Sequence, residues 1–526
     1  EPARQPDSTA ERLIDALADP AVYPHPVERV ERIETHISWV LLAGEFAYKI
    51  KKPLDLGFLD FSTLVRRRFF CEEEIRLNRR TAPSLYLDVI GIAGTPEHPA
   101  LDGDDEPIEY AVRMRRFDTE LGFDRLQARG ELGPAHIADL AGRLADLHAG
   151  ADRAGPDSEY GTRESVAGPV HDNFHTLLPA AAGAARDRLA RLRDWSEEQL
   201  DALGALIEAR RGEGFVRECH GDAHLGNVTL HGGRATLFDC IEFSASLRWI
   251  DVINDLAFTV MDLRDRRAVR LAWILLDEYL ARTGDFDGLQ LLPLYTVYRA
   301  LVRAKVQSFA REQTRSDEQR ARLGAEVEGY LALADTLAAE RRPAVIITSG
   351  LSGSGKSWLA RRLVEQVGLV RVRSDVERKR LRGLRADADS ASEIDAQLYA
   401  TEATEQTYER LMEAAGAICD AGIPALIDAA FLKRWQRDRL RHMAVARGLP
   451  FRIIHCVAPE STLTERISAR EQRGDDASEA GLEVLAHQLR TAEPLTNAER
   501  EYAIEVDTGE ADAVDRVALD VRRLWD

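Results

Sequence analysis

Two groups of residues in this chain have the types and spacing needed to transfer phosphoryl groups. The first is an H-G-D stretch that ends at Asp222, followed by Asn227 and then by Asp239. The second is Gly350–Ser357, which has the pattern G-x-x-x-x-G-K-S. Each group predicts nucleotide chemistry, and the two designs are unrelated.

The second group is a complete phosphate-binding loop, or P-loop. Its glycines let backbone N–H groups point at phosphate oxygens, and the helix that follows adds partial positive charge. The lysine neutralises charge on the β- and γ-phosphates, and the last serine is a Mg²⁺ ligand. The alternative interpretation is a Gly-Ser turn between a strand and a helix. The predicted nucleotide-binding residues are Gly350, Ser352, Gly353, Ser354, Gly355, Lys356 and Ser357, of which Ser357 is also a predicted metal ligand.

Two acids follow predicted strands in the same part of the chain. Strand ends beside a P-loop face the ligand crevice of a parallel sheet. Asp375 is therefore predicted to accept a proton from a substrate hydroxyl, with Arg378 one helical turn further on. The alternative is that Ser374 or Asp375 only caps the next helix. Asp428 is predicted to hold Mg²⁺ or its water.

Three arginines, Arg466, Arg470 and Arg473, are spaced by four and three residues, so a helix places them on one face. A flexible polar stretch follows them. They are predicted to form a lid that places positive charge over nucleotide phosphates, as part of the nucleotide-binding set. The alternative is a solvated charged face.

The first group has the order D-x-x-x-x-N of a kinase catalytic loop. Asp222 is predicted to orient an attacking hydroxyl and accept its proton, and Asn227 is predicted to bind Mg²⁺. A predicted hairpin after Asn227 returns Asp239 to its side, where a second Mg²⁺ ligand is needed. The alternative makes Asp222 and Asn227 turn residues of a glycine-rich loop.

The elements around these groups follow two different patterns. Before Pro343 the sequence predicts a hairpin, a charged helix, a further strand and then mostly helix, with a strand pair around Val228 and Leu237. The hairpin strands are 39–42 and 46–50, the helix is 64–81, the next strand is 108–114, and a charged helix over 312–342 closes this part.

After Pro343 strands alternate with helices, which predicts a parallel doubly wound sheet. The predicted strands are 344–348, 369–372, 425–427, 451–457 and 502–506. The fold class is therefore multidomain α/β. The predicted domains are 1–335 and 343–526, and each is expected to have its own core.

The first group, with D-L-A at 255–257, resembles the aminoglycoside phosphotransferase family of the protein-kinase-like fold. The resemblance covers about 33–335 and implies a two-lobed α+β domain, with an N-lobe at about 30–115 and a C-lobe at about 116–335. It implies that Lys49, in an A-x-K stretch, grips the α- and β-phosphates and that Glu74 pairs with it. Lys51 and Glu73 are their rivals.

No G-x-G-x-x-G precedes Lys49, so the choice between ATP and GTP as donor stays open. His148 and His224 are expected to be structural. The P-loop segment, 343–526, resembles the P-loop small-molecule and polynucleotide kinases, which include zeta-toxin-like and gluconate-kinase-like proteins. This implies that Asp375 and Arg378 contact the substrate and that the lid arginines bind nucleotide phosphates.

Composition limits the partners. The net charge of −19 disfavours nonspecific binding to nucleic acid or anionic lipid. No apolar run approaches a membrane span, and the first 20 residues do not have the pattern of a secretory signal. Five scattered cysteines without a C-x-x-C pair favour a reducing cytoplasm.

The sequence thus predicts a cytoplasmic, Mg²⁺-dependent bifunctional kinase. It would use ATP or GTP to phosphorylate small hydroxylated metabolites, with no membrane partner. One alternative is a single catalytic domain regulated by a nucleotide-sensing second domain. Another is a 5'-hydroxyl polynucleotide kinase activity in the P-loop segment.

Overall fold

The computed structural model describes residues 8–57, 59–103, 105–314, 316–384, 399–473 and 481–525. It divides into two compact units. The first comprises the described parts of Glu1–Gly168 and Ala205–Thr259, and the second those of Pro169–Gly204 and Val260–Asp526. The second unit thus groups helices that precede Pro343 with the P-loop segment. The domain limits 1–335 and 343–526 therefore stay a prediction.

The first unit begins with a six-stranded antiparallel sheet in the order β1-β2-β3-β6-β4-β5. The predicted hairpin is confirmed as β2 and β3, where Val40 is paired with Lys49. Side chains alternate along a strand, so Lys49 and Lys51 point to the same face. The strands are β1 Val30–Glu34, β2 Ser38–Ala43, β3 Phe46–Lys51, β4 Tyr86–Thr95, β5 His98–Leu101 and β6 Glu109–Arg115.

The two faces of this sheet are covered differently. One face, with Leu41, Tyr48 and Ile50, is buried together with Leu13 and Ile14 of the first helix and Leu17 just after it. The other face, with Ala47 and Val112, packs against the helix that follows β3. This second face also points Lys49 and Lys51 toward that helix.

Helices and two short two-stranded antiparallel sheets complete the first unit, and its limits fall within α5, α6 and α8. The predicted strand pair around Val228 and Leu237 is confirmed, and these two residues are paired. The helices are α1 Ser8–Ala16, α2 Leu64–Asn78, α3 Phe123–Ala128, α4 Pro134–Gly150, α5 Arg163–Ala180, α6 Gly183–Gly212, α7 Ala245–Arg248 and α8 Val252–Asp265. The strands are β7 Val216–Glu218, β8 Val228–His231, β9 Arg234–Leu237 and β10 Trp249–Asp251.

The second unit contains three further helices before the P-loop: α9 Val269–Thr283, α10 Leu292–Gln313 and α11 Asp317–Ala339. The predicted single helix over 312–342 is wrong at its start. Thr314 is extended, and the Ser316 hydroxyl accepts the backbone N–H of Gln319 at 3.3 Å. Ser316 therefore caps a new helix, because this bond satisfies an otherwise free N–H of the first turn.

The P-loop segment contains the predicted parallel sheet, in the order β12-β13-β11-β14-β15. Its strands are β11 Val345–Ser349, β12 Val370–Arg373, β13 Ala425–Asp428, β14 Phe451–Val457 and β15 Ala503–Asp507. Because all five strands are parallel, their carboxyl ends lie along one edge. That edge includes Ser349, Arg373 and Asp428.

Eight helices within the described residues surround this sheet. The sequence predicts a long helix over about 393–421, before β13, and residues 393–398 of this range lie outside the described residues. Within the described ranges, no helix has both the length and the apolar character of a membrane span. The helices are α12 Lys356–Val367, α13 Ser374–Leu381, α14 Tyr399–Asp420, α15 Arg434–Ala446, α16 Glu460–Arg473, α17 Leu482–Thr491, α18 Asn497–Arg500 and α19 Ala513–Arg522.

Candidate active sites

Two lysines of β3 share one glutamate of α2. Lys49 Nζ lies 2.8 Å from Glu74 Oε1, and Lys51 Nζ lies 2.7 Å from Glu74 Oε2. Lys51 also donates to Glu242. We call Lys49, Lys51, Glu74 and Glu242 the lysine cluster. The rival Glu73 instead pairs with Arg76 and Arg248, so Glu74 is the residue of α2 that meets the predicted lysine.

The two lysines differ in their access to the site. Lys49 is 12% exposed and lies 2.5 Å from Asp239 Oδ1, whereas Lys51 is fully buried with its Nζ over the ring of Phe61. Burial would lower the pKa of Lys49, but Asp239 and Glu74 hold it well above its usual value. Both lysines are therefore charged, and Lys49 is the one that faces the predicted metal ligand.

The carboxylates of the lysine cluster respond to the same charges. Burial would raise the pKa of Glu74, but Lys49 and Lys51 hold it at about 2. Burial raises the pKa of Glu242, and the charge of Glu74 raises it further, against the lowering effect of Lys51. Glu74 is therefore the permanent anion that fixes both lysines.

The catalytic-loop residues also converge. Asn227 Nδ2 donates to Asp222 Oδ2 at 2.8 Å and to the Asp222 carbonyl at 3.0 Å. His224 Nε2 lies 3.4 Å from the same carboxylate. Asp222 is one-third exposed, so its carboxylate is both oriented and accessible to a hydroxyl. The amide nitrogen of Asn227 donates to Asp222, so Oδ1 is the Asn227 atom that would bind the predicted Mg²⁺.

The predicted return of the hairpin is observed. The Phe238 N–H donates to the Asn227 carbonyl at 3.0 Å, and Asp239 follows directly. Asp239 has a φ of +60°, and its N–H donates to the Tyr86 hydroxyl at 3.0 Å. A left-handed backbone costs a non-glycine residue about 1–3 kcal/mol, and such positions cluster at functional sites. The strain turns the Asp239 carboxylate toward Lys49.

Asp255, the acid of the D-L-A stretch, holds the backbone of the catalytic loop by hydrogen bonds. It is fully buried and accepts the N–H groups of His220 at 3.0 Å and Gly221 at 2.8 Å. His148 Nε2 lies 3.1 Å from it. Burial would raise the pKa of Asp255, but the hydrogen bond and charge of His148 help to hold it at about 2. His148 thus has the predicted structural role, and Asp255 fixes the backbone that presents Asp222.

The first site fits a magnesium ion by its donors. Asn227 and Asp239 offer hard oxygen ligands, and Asp239 already faces a cation in the form of Lys49. Mg²⁺ in phosphotransferases is bound by one or two carboxylates together with substrate phosphates. The donor set agrees with this, because Asp239 supplies a carboxylate that is 45% exposed and Asn227 supplies an amide oxygen.

In the P-loop, close packing against neighbouring residues explains why Gly353 and Gly355 are glycines. Gly353 and Gly355 have φ values of +82° and +84°. A Cβ on Gly353 would lie 2.8 Å from the Leu463 carbonyl oxygen, and one on Gly355 would lie 2.5 Å from the Thr508 hydroxyl. A larger residue would therefore be both strained and in collision. The predicted strand–loop–helix context is present, with β11 before the loop and α12 beginning at Lys356.

Three side chains hold the loop in shape. Lys356 Nζ donates to the Leu351 carbonyl at 2.8 Å, and the Ser352 N–H donates to Gln488 Oε1 at 2.8 Å. Arg466 donates to Thr508 at 2.9 Å and to the Gly353 carbonyl at 3.3 Å. Arg466 therefore contacts the P-loop, and its role at the nucleotide phosphates stays a prediction. The side chains of Arg470 and Arg473 lie outside the described residues.

Asp428 lies at the end of β13, as predicted, and is 3% exposed. Its Oδ2 is buried and has no hydrogen-bond partner within the described residues. The guanidinium groups of Arg371 and Arg373 each approach this oxygen to 4.0 Å. A buried carboxylate oxygen without a hydrogen bond is costly, so Asp428 suits a Mg²⁺ ion or its water, together with the Ser357 hydroxyl.

Asp375 and Arg378 are brought together as an ion pair of 3.9 Å in α13. The helix begins at Ser374 and its N-cap is Arg373, without a side-chain capping bond. The capping alternative for Ser374 or Asp375 is therefore wrong, because both residues lie inside the first turn. Asp375 is about one-third exposed and Arg378 about half exposed, so both can meet a ligand.

Sequence reasoning missed several residues that shape the two sites. Glu242 follows Asp239 by three residues, and this acidic spacing was a usable signal. Nothing in the local sequence marks Tyr86, Gln488 or Thr508, because their partners are distant in the chain. The five cysteines are all free and buried.

Two protein families match this chain, one before and one after Pro343. Residues 99–292 match a family described as "Phosphotransferase enzyme family", and residues 345–495 match one described as "AAA domain". A phosphotransferase-family segment is thus followed by a P-loop kinase-like segment, which confirms the resemblances and the fold class.

Related proteins cover both segments. An uncharacterized protein of Mycobacterium tuberculosis (strain ATCC 25618 / H37Rv) is 29% identical over 483 residues, which is 89% of this chain and 94% of that protein. A choline/ethanolamine kinase family protein from Mesorhizobium loti is 15% identical and covers 62% of this chain and 98% of its own, with a TM-score of 0.35. A gluconokinase from Sinorhizobium meliloti 1021 is 23% identical and covers 35% of this chain and 94% of its own, with a TM-score of 0.23.

Proposed function

We propose that this protein is a cytoplasmic bifunctional phosphotransferase. Each segment would transfer the γ-phosphoryl group of ATP or GTP to a hydroxyl of a small metabolite. The observation that supports this most is the convergence of Lys49, the loop residues Asp222 and Asn227, and Asp239 from three separate stretches of the chain. A second nucleotide site at the P-loop, with its own acid at a strand end, supports two activities rather than one.

In the first site, Asp222 would accept the proton of the substrate hydroxyl while the hydroxyl oxygen attacks the γ-phosphorus. Asn227 orients that carboxylate through its 2.8 Å hydrogen bond. Lys49 would leave Asp239 to neutralise the donor phosphates, with Glu74 holding its other side. Mg²⁺, when bound by Asn227 and Asp239, supplies neutralisation of the charge that develops on the phosphates. The products are a phosphate monoester and the nucleoside diphosphate.

In the P-loop segment, the backbone N–H groups of Gly353–Lys356 would hold the phosphates, with Lys356 and Arg466 adding positive charge. Ser357 and Asp428 would hold Mg²⁺. Asp375 would accept the proton of the hydroxyl group of the second substrate, and Arg378 would position that substrate. The acidic net charge of −19 favours a small acceptor over a polynucleotide.

A metabolite-library screen with labelled ATP and GTP tests this proposal on the whole chain. Asp222→Asn and Lys356→Ala should each silence a different subset of products. Arg270→Gln, at an exposed ion pair on α9, serves as a control that should silence neither. If one variant abolishes all products, a single catalytic segment regulated by the other replaces the bifunctional proposal. If neither variant changes any product, both sites are wrong.

A further inference from the structure

Helix α9 belongs to the stretch that matches the phosphotransferase family, yet its buried face meets the P-loop segment within the second unit. Arg371 of β12 reaches Asp277 of α9 with two nitrogens, Nη2 at 2.8 Å and Nε at 3.4 Å. All three of Asp277, Arg371 and Asp428 are less than one-tenth exposed. Arg371 therefore lies between a carboxylate of α9 and the predicted metal ligand of the P-loop.

The distances show how the nitrogens of Arg371 are shared between Asp277 and Asp428. Its fork is bound to Asp277, and the remaining Nη1 stops 4.0 Å from Asp428 Oδ2. An arginine fork makes its strongest bonds with a carboxylate that accepts two N–H groups. Asp277 thus satisfies Arg371 on one side and leaves the buried Oδ2 of Asp428 without a hydrogen bond. Without Asp277, Arg371 would be free to close on Asp428 and neutralise it.

The end of α9 is attached to the same part of the P-loop segment. Arg380 of α13 donates to the Ala281 carbonyl at 2.8 Å, and Arg410 of α14 donates to the Gly284 carbonyl at 3.1 Å. Glu377 joins these two arginines from α13. Cations at a helix C-terminus meet its free carbonyls and the negative end of its dipole. Helix α9 therefore supports β12 and also α13, which carries Asp375, the residue proposed to accept the substrate proton.

We propose that Asp277 of α9 is a positioning residue for the P-loop site: it holds Arg371 away from Asp428 and so keeps that carboxylate available to Mg²⁺. This inference rests on the proposed function of the P-loop segment. It means that the second nucleotide site is completed by a helix of the preceding segment. Mutation of partners that orient a metal ligand typically lowers metal affinity by roughly 10- to 100-fold.

The test uses the full chain with the first site disabled by Asn227→Ala and Asp239→Asn. Binding of a fluorescent N-methylanthraniloyl-ATP is followed while MgCl₂ is titrated, and Lys356→Ala verifies that the signal comes from the P-loop. Asp277→Asn should raise the MgCl₂ concentration at half-saturation by about 10- to 100-fold. Adding Arg371→Gln should restore most of the affinity, because the arginine that would neutralise Asp428 is then gone.

Arg270→Gln is the matched control, because it breaks the exposed pair of α9 with Glu365 of α12 and touches neither Arg371 nor Asp428. It should leave the titration unchanged. If circular dichroism shows that Asp277→Asn is unfolded, Asp277→Glu replaces it, with a smaller rise expected.

The outcomes separate the two proposals. A signal that does not depend on Lys356 overturns the P-loop function and this inference together. A Lys356-dependent signal with an unchanged midpoint in the folded Asp277 variant overturns the inference alone. So does a raised midpoint that Arg371→Gln fails to restore, or an equal rise in Arg270→Gln.

Discussion

The two lysines of β3 should have separable roles, and exchanging each for methionine tests this. Lys51→Met leaves the carboxylates of Glu74 and Glu242 buried with one fewer cation. Breaking a buried ion pair from one side costs about 3–5 kcal/mol. Lys49→Met should cost less, because Glu74 keeps Lys51 and because Asp239, 45% exposed, is screened by water.

The effects on function should be reversed. Lys49 is the lysine that faces Asp239, so its loss removes a positive charge aimed at the donor phosphates. Removing one such preorganised donor costs roughly 10²- to 10³-fold in turnover. Lys51 has no exposed surface, so the folded fraction of Lys51→Met should still bind nucleotide. Fold stability and phosphate binding are thus assigned to neighbouring residues of one strand.

Hydrogen exchange of peptides from β3 and α2 measures the local opening free energy, and calorimetric titration with Mg-ATP measures binding. Lys52→Met is the control, because Lys52 pairs with the exposed Glu34 and lies outside the lysine cluster. Strong exchange protection in Lys51→Met combined with lost binding, or normal turnover in Lys49→Met, would show that Lys51 is the phosphate-binding lysine.

Three further predictions concern the catalytic loop, Asp255 and the P-loop segment. Asp222→Asn should lower kcat by roughly 10²- to 10⁴-fold with nucleotide binding retained, whereas Asp239→Asn should weaken Mg²⁺-dependent binding itself; equal binding defects in titrations would contradict separate roles. The pKa of Asp255 is lowered from 3.8 to about 2 in the folded protein. The ionised carboxylate therefore adds roughly 2–3 kcal/mol to the free energy of unfolding. This contribution is complete above about pH 4 and is lost as the pH falls through 2. Wild type and Asp255→Asn should therefore converge in unfolding free energy over that range, and parallel curves would contradict this. The fragment 340–526, expected from the sequence to fold alone, should unfold in calorimetry at a lower temperature than the P-loop segment of the whole chain, because it lacks α9; an equal temperature would show that α9 adds no stability.

The P-loop and its sheet could be predicted because their signals are local. The strand 344–348 is a short, mostly apolar run, and the glycines, lysine and serine of the loop have fixed spacing. The catalytic hairpin could be predicted for the same reason, since Asn227 and Asp239 are twelve residues apart. By contrast, β4 was not identified, because Gly91 and Gly94 interrupt its apolar alternation.

What the sequence left open depends on contacts between distant residues. Lys49 and Lys51 have the same strand parity, so periodicity cannot separate them. Their difference comes from Asp239 and Glu242, about 190 residues later in the chain. The pairing of Asp277 with Arg371 spans 94 residues and involves residue types that are common on solvated helices. Only the fold shows that both are buried.

The burial of Asp277 indicates how the helix α9 is attached to the P-loop segment. A charged side chain is rarely buried without a partner, and on α9 the partner is an arginine of the P-loop segment. Trp273 of the same helix packs against the apolar core of that segment, close to Gly368. If the P-loop segment were attached only by a flexible connection, this face of α9 would be exposed and should be polar. A tryptophan and a paired carboxylate indicate instead that α9 and the P-loop segment form a single folded unit. The P-loop chemistry should therefore depend on residues that no P-loop family match would include.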